Sequence, residues 1–113
     1  MAANSEMPAL ETLTDDNFDA TLQNSKHPIL IDFSATWCQP CKSLAPKIEK
    51  VANEFEGQLH VFTVDIEEAL ASVNQFNIQG VPTCVFFKDG REVDRIQGDQ
   101  DINTLRDRIN KII

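Results

Sequence analysis

Apolar residues fall at two different spacings along this chain, and the changes between them mark its elements. Residues 9–13 form a first short apolar stretch that predicts a strand. Thr14 then offers an N-cap, with Asp15 and Asp16 suited to the positive end of a helix. Phe18 and Leu22, four apart, share one face of that helix. Residues 28–33 (PILIDF) are a compact apolar run between turn-prone segments, the pattern of a buried strand. From Cys38 the period becomes helical: Leu44, Ile48, Val51, Ala52 and Phe55 line one face, which ends before Gly57. Pro46 lies inside this helix and predicts a kink, since it removes a backbone donor and crowds the preceding turn. Residues 59–65 return to a strand pattern, 67–75 to a short helix and 83–87 to a strand. Lys88-Asp89-Gly90-Arg91 is a hairpin signal, and 91–97 is its returning strand. Asp101 caps a last helix with Ile102, Leu105, Ile109 and Ile112 on its apolar face.

The resulting order is βαβαβαββα, an α/β architecture. Helices between strands imply parallel pairing, while the hairpin adds an antiparallel part. A central mixed sheet with helices on both faces is expected. Residues 9–113 are expected to form one domain, preceded by a flexible lead over residues 1–8.

Composition narrows the function. With 113 residues, 42% hydrophobic and 25% charged, the chain is long enough to bury a core without disulfide staples. A formal net charge of -8 argues against nucleic acid or an anionic membrane as the main partner, because both attract basic surfaces. No apolar run is long enough to span a bilayer. Residues 1–8 carry neither the positive charge nor the apolar stretch of a signal peptide. A cytoplasmic, reducing location is therefore expected. There, structural disulfides are rare and a close cysteine pair is catalytic or metal-binding. The three cysteines are Cys38, Cys41 and Cys84.

Cys38 and Cys41 sit between the PILIDF strand and the long helix. Residues three apart in a first helical turn lie close together, so their sulfurs can bond and part with little backbone movement. Unpaired amides and the helix dipole at that end favour a thiolate, the attacking species in disulfide exchange, at Cys38. Cys38, nearer the loop, is assigned the nucleophile's role, and Cys41, set back in the helix, the resolving role. Pro40 suits the first turn, where its missing N–H costs little. Half of a zinc site is the competing reading. A structural zinc needs four ligands, and Cys84, His27 and His60 lack ligand spacing, so no metal is expected. A Cys-x-x-Cys that opens a helix after a strand in a β-α-β pattern points instead to redox chemistry.

Three segments in order, residues 32–42 (DFSATWCQPCK), 80–83 (GVPT) and Gly98 after the last strand, resemble the thioredoxin family. The likeness runs from about Leu10 to the end of the chain and implies the thioredoxin fold. It also implies a protein-disulfide reductase that needs no cofactor of its own and is re-reduced by an NADPH-dependent thioredoxin reductase. On the residues alone, Asp32 could equally sit in water at a strand end. The resemblance places it beneath the resolving cysteine, where desolvation would poise it to accept the Cys41 proton. Pro82 on its own would be an ordinary trans proline, but the resemblance makes it cis, with the backbone of Val81 pairing with substrate. Trp37 then caps the site as an apolar contact for substrate, and Gly98 lets the substrate backbone approach. Cys84 is read as a buried, inert residue, and His27 and His60 as loop or strand-edge residues.

Two positions depart from the family pattern. Gln39 stands in the inter-cysteine dipeptide Gln39-Pro40 where glycine is usual. It stiffens the first turn without adding charge, so a modest change of redox poise is expected. Thr63 stands where many members carry a lysine near the buried aspartate, so Asp32 should be easier to protonate. The rival functions are a thioredoxin-fold chaperone that grips unfolded chains, and a disulfide oxidase or isomerase. The intact Trp-Cys-x-Pro-Cys with Asp32 favours the reductant. Acidity and short sheet edges point to a monomer.

Overall fold

A computed structural model describes residues 10–113. In chain order the elements are β1 (Glu11–Thr12), α1 (Phe18–Asn24), β2 (Ile29–Ser34), α2 (Gln39–Glu54), β3 (His60–Asp65), α3 (Leu70–Gln75), β4 (Thr83–Lys88), β5 (Arg91–Gln97) and α4 (Ile102–Asn110). This is the expected order βαβαβαββα. The expected lead over residues 1–8, and Ala9 at the start of the first strand, lie outside the described residues. The five strands form one sheet in the order β1-β3-β2-β4-β5. β3 is parallel to both β1 and β2, whereas β4 runs antiparallel to β2 and β5. The sheet is mixed, as expected, but its antiparallel part reaches beyond the hairpin: β4 follows a helix and still runs antiparallel to its neighbour β2.

β2 is central and buried along nearly its whole length, which explains an apolar run interrupted only by Asp32. Successive residues alternate between the two faces. Ile29, Ile31 and Phe33 pack with Phe18, Leu22, Phe62, Val64, Val85 and Phe87 in the core that includes α1. Leu30 packs with Leu44, Ile48 and Val51 of α2, with Cys84 and Phe86 of β4, and with Leu105 and Ile109 of α4. Asp32, two residues after Leu30, therefore faces the α2 side and is 4% exposed.

The hairpin forms at the predicted residues: Asp89 and Gly90 both take positive φ, 55° and 79°, between β4 and β5. Asp101 caps α4 by accepting the Asn103 amide at 3.2 Å. Pro46 lies within a continuous α2 on its exposed side.

The start of α1 differs from expectation. Residues 14–17 form a turn in which Asn17 Oδ1 accepts the Thr14 amide at 2.8 Å, and the helix begins only at Phe18. Asp15 serves a different helix. Its carboxylate accepts from the Ala71 amide (3.1 Å), the Ser72 amide (2.9 Å) and the Ser72 hydroxyl (2.8 Å). These bonds, those from Ser72 foremost, hold its pKa below the ordinary carboxylate value. The residue preceding α3 is Ala69, which has no side chain that could cap, so the cap arrives from a distant part of the chain. α3 is also shorter than expected: Asp65 Oδ1 accepts the Glu67 amide at 2.9 Å and holds that stretch as a turn.

Candidate functional site

The site lies where β2 ends and α2 begins. Cys38 is the residue before the first turn of α2, and Gln39 and Pro40 follow it on the exposed side. The Cys41 amide donates to Cys38 Sγ at 3.2 Å, so the sulfur takes the place of a capping oxygen. The two cysteines are disulfide-bonded, with Cα atoms 5.3 Å apart. They are almost equally buried, 5% and 4% exposed. Exposure therefore does not rank them; their places relative to the helix do. Ala35, Cys38 and Cys41 pack together with Ile66 and Val81.

A second wall comes from the segment before β4. Val81–Pro82 is a cis peptide, as the resemblance implies, and the Val81 carbonyl oxygen lies 3.8 Å from Cys38 Sγ. Gly98, with φ +88°, donates its amide to the Pro82 carbonyl at 2.8 Å. Cys38, Val81, Pro82 and Gly98 are thus linked in one continuous chain of contacts. Trp37 is 63% exposed, and its indole donates to Glu67 Oε2 at 3.1 Å.

Asp32 lies in the sheet between Thr63 of β3 and Cys84 of β4, its register partners. The Thr63 hydroxyl donates to the backbone carbonyl of Asp32 at 3.2 Å and so leaves the carboxylate to itself. Oδ1 of that carboxylate is buried without a hydrogen-bond partner. Desolvation pushes the Asp32 pKa up to about 7. Cys84 is a free, buried thiol. Its own pKa is raised well above the ordinary value, by desolvation first and by the neighbouring Asp32 second.

His27 and His60 are brought together at the N-terminal ends of β2 and β3, away from the cysteine pair, with ring centroids 5.1 Å apart, and Ser25 Oγ lies 3.1 Å from His60 Nδ1. Among the described residues no group of three or more His, Cys, Asp or Glu side chains is placed to hold a metal ion.

Local sequence patterns do not show four further residues around the site. Glu67 holds the Trp37 indole from 30 positions away. Lys47 of α2 reaches Asp99 and Gln100 beside Gly98. Each such pairing spans distant parts of the chain and leaves no periodic trace.

The family model described as Thioredoxin matches residues 9–111. A thioredoxin of Staphylococcus saprophyticus is 37% identical over 103 residues, covering 91% of this chain and 97% of its own. One from Staphylococcus haemolyticus is 36% identical with the same coverage. The chloroplastic M-type thioredoxin of Spinacia oleracea is 33% identical over 98% of this chain and 61% of its own length. With a family match over almost the whole chain and a cysteine pair that closes at a helix start, this chain belongs to the thioredoxin family and is a thiol–disulfide oxidoreductase that reduces protein disulfides.

Proposed function

We propose that the reaction runs through Cys38 as nucleophile, Cys41 as resolving thiol and Asp32 as proton acceptor. The observation that carries this reading is a disulfide-bonded pair at the start of α2, on the sheet face that also buries an unpartnered carboxylate. In the reduced protein the amides of the first helical turn and the helix dipole stabilise a Cys38 thiolate. That thiolate attacks a substrate disulfide, forms a mixed disulfide and expels one substrate thiolate. Asp32, with its pKa near the working pH, takes the Cys41 proton. The Cys41 thiolate then attacks Cys38 Sγ and expels the second substrate thiolate. Two electrons pass to the substrate, and the protein is left with its Cys38 to Cys41 disulfide.

In the same reading the Val81 backbone pairs with an extended substrate segment in the manner of an added strand. Pro82 and Gly98 shape the floor of that groove, and Trp37 offers its apolar face. Gln39 and Pro40 tune the pair from the first turn. A thioredoxin reductase drawing on NADPH returns the protein to its dithiol form. The protein acts as a monomer in the cytoplasm; among the described residues no helix is long and apolar enough to cross a membrane.

Insulin reduction tests the central claim. The unchanged protein should precipitate insulin chains in the presence of a dithiol, and Cys38→Ser should abolish this. A Cys38→Ser variant that kept the activity would overturn the assignment. Trp37, the only tryptophan, supplies a second readout, since its fluorescence should change when the adjacent pair is reduced.

A further inference from the structure

We infer that Lys47 is a positioning residue for protein substrates: it straps the Gly98 side of the groove to the helix that carries the cysteine pair. Its ammonium donates to Asp99 Oδ1 and to the Gln100 carbonyl, each at 2.9 Å. One side chain on α2 thereby holds two successive residues of the loop between β5 and α4. The side chains of Lys47 and Asp99 are each only about one-third exposed, 34% and 32%. Gln100 returns its side-chain amide to the Gln97 carbonyl at 2.7 Å and closes the loop on itself. Asp101, next in the chain, is committed to capping α4.

The held loop carries Gly98, whose amide donates to Pro82. The preceding residue, Val81, meets Cys38 through its carbonyl. Lys47 is on the same helix as Cys41, a little under two turns further on. The contacts therefore form a closed ring: α2 to Lys47, to the Gly98 loop, to Pro82 and Val81, and back to Cys38. A groove assembled from two separate segments needs its walls at a fixed spacing if an extended chain is to pair with it, and this ring sets the spacing. A small disulfide reaches Cys38 without using both walls. The strap should therefore matter for protein disulfides and be nearly irrelevant for small ones.

The inference rests on the reading that Val81, Pro82 and Gly98 form the substrate groove, and its test separates the two. Fully reduced protein is mixed with insulin or with 5,5′-dithiobis(2-nitrobenzoate), and Trp37 fluorescence or released chromophore gives the second-order rate constants. Lys47→Ala should slow insulin about fivefold, the size of one lost exposed ion pair, and change the small disulfide less than about twofold. Lys47→Arg, which keeps the charge and the donors, should restore most of the insulin rate. Amide exchange at Gly98 should quicken in Lys47→Ala and not in Lys47→Arg. Equal effects on both substrates, or no change in either the insulin rate or Gly98 exchange, would overturn the strap. Gly98→Val examines the groove itself. If it leaves the insulin rate intact, the groove reading fails; if it lowers that rate while Lys47→Ala does not, the strap alone fails.

Discussion

The two faces of the sheet are built to different ends. On the side of α1, the described core around Phe18, Phe33 and Phe87 is built of apolar side chains, and Phe18 makes ring contacts with Phe33, Phe76 and Phe87 at centroid distances of 6.1, 5.4 and 6.5 Å. On the side of α2 and α4, an apolar cluster of similar size contains Cys84 and adjoins Asp32, with its unpartnered oxygen, and the redox pair at the head of α2. The same strand, β2, serves both faces by alternation. The contrast teaches that a small domain can hold a costly polar group in its interior if the opposite face supplies packing without compromise.

Substitutions on each face can break or sharpen that contrast. The largest loss is expected on the apolar face: Phe18→Ala should cost about 3–5 kcal/mol in urea unfolding, while the folded fraction keeps its rate with small disulfides. A comparable change of opposite sign is expected on the other face. An aspartate whose folded pKa is raised from 3.8 to about 7 is favourable below the unfolded value and loses that contribution as pH rises through about 7. Asp32→Asn should therefore gain up to about 4 kcal/mol over the unchanged protein at pH 8 and nothing at pH 3, as seen by denaturant unfolding at the two pH values. The same variant should slow insulin reduction, which would show stability given up for reactivity.

Thr63→Lys places a cation beside Asp32 in the sheet and should lower its pKa by about 1–2 units, measured by carboxyl NMR titration. The smallest effect belongs to Gln39→Gly. It changes neither charge nor either face, and it should move the equilibrium with glutathione by less than about tenfold, or about 30 mV.

Legibility in the sequence followed the same division between local and distant. The PILIDF strand, the Asp89-Gly90 hairpin and the cap at Asp101 are local patterns, and the structure shows each where the pattern placed it. The cysteine pair was legible because its spacing and its place after a strand are also local. Asp32 was legible only through family likeness, since its burial depends on α2 closing over the sheet. The cap of α3 by Asp15 and the hold of Glu67 on Trp37 were out of reach, because each joins residues far apart in the chain through single side chains. Thr14 was misplaced as a cap because two acidic residues after it imitate a helix start while one of them is turned to another helix.

The borders of the sheet bear on the company such a protein keeps. β1 offers only two residues, and β5 carries Arg91, Glu92, Asp94 and Arg95, with an irregularity in its pairing to β4 between Phe86 and Phe87. A reductant of protein disulfides meets loosened chains with bare strands seeking a template. One short margin and one charged, offset margin resist that growth, so the carrier can handle sticky clients at one mouth without being drawn into their aggregates.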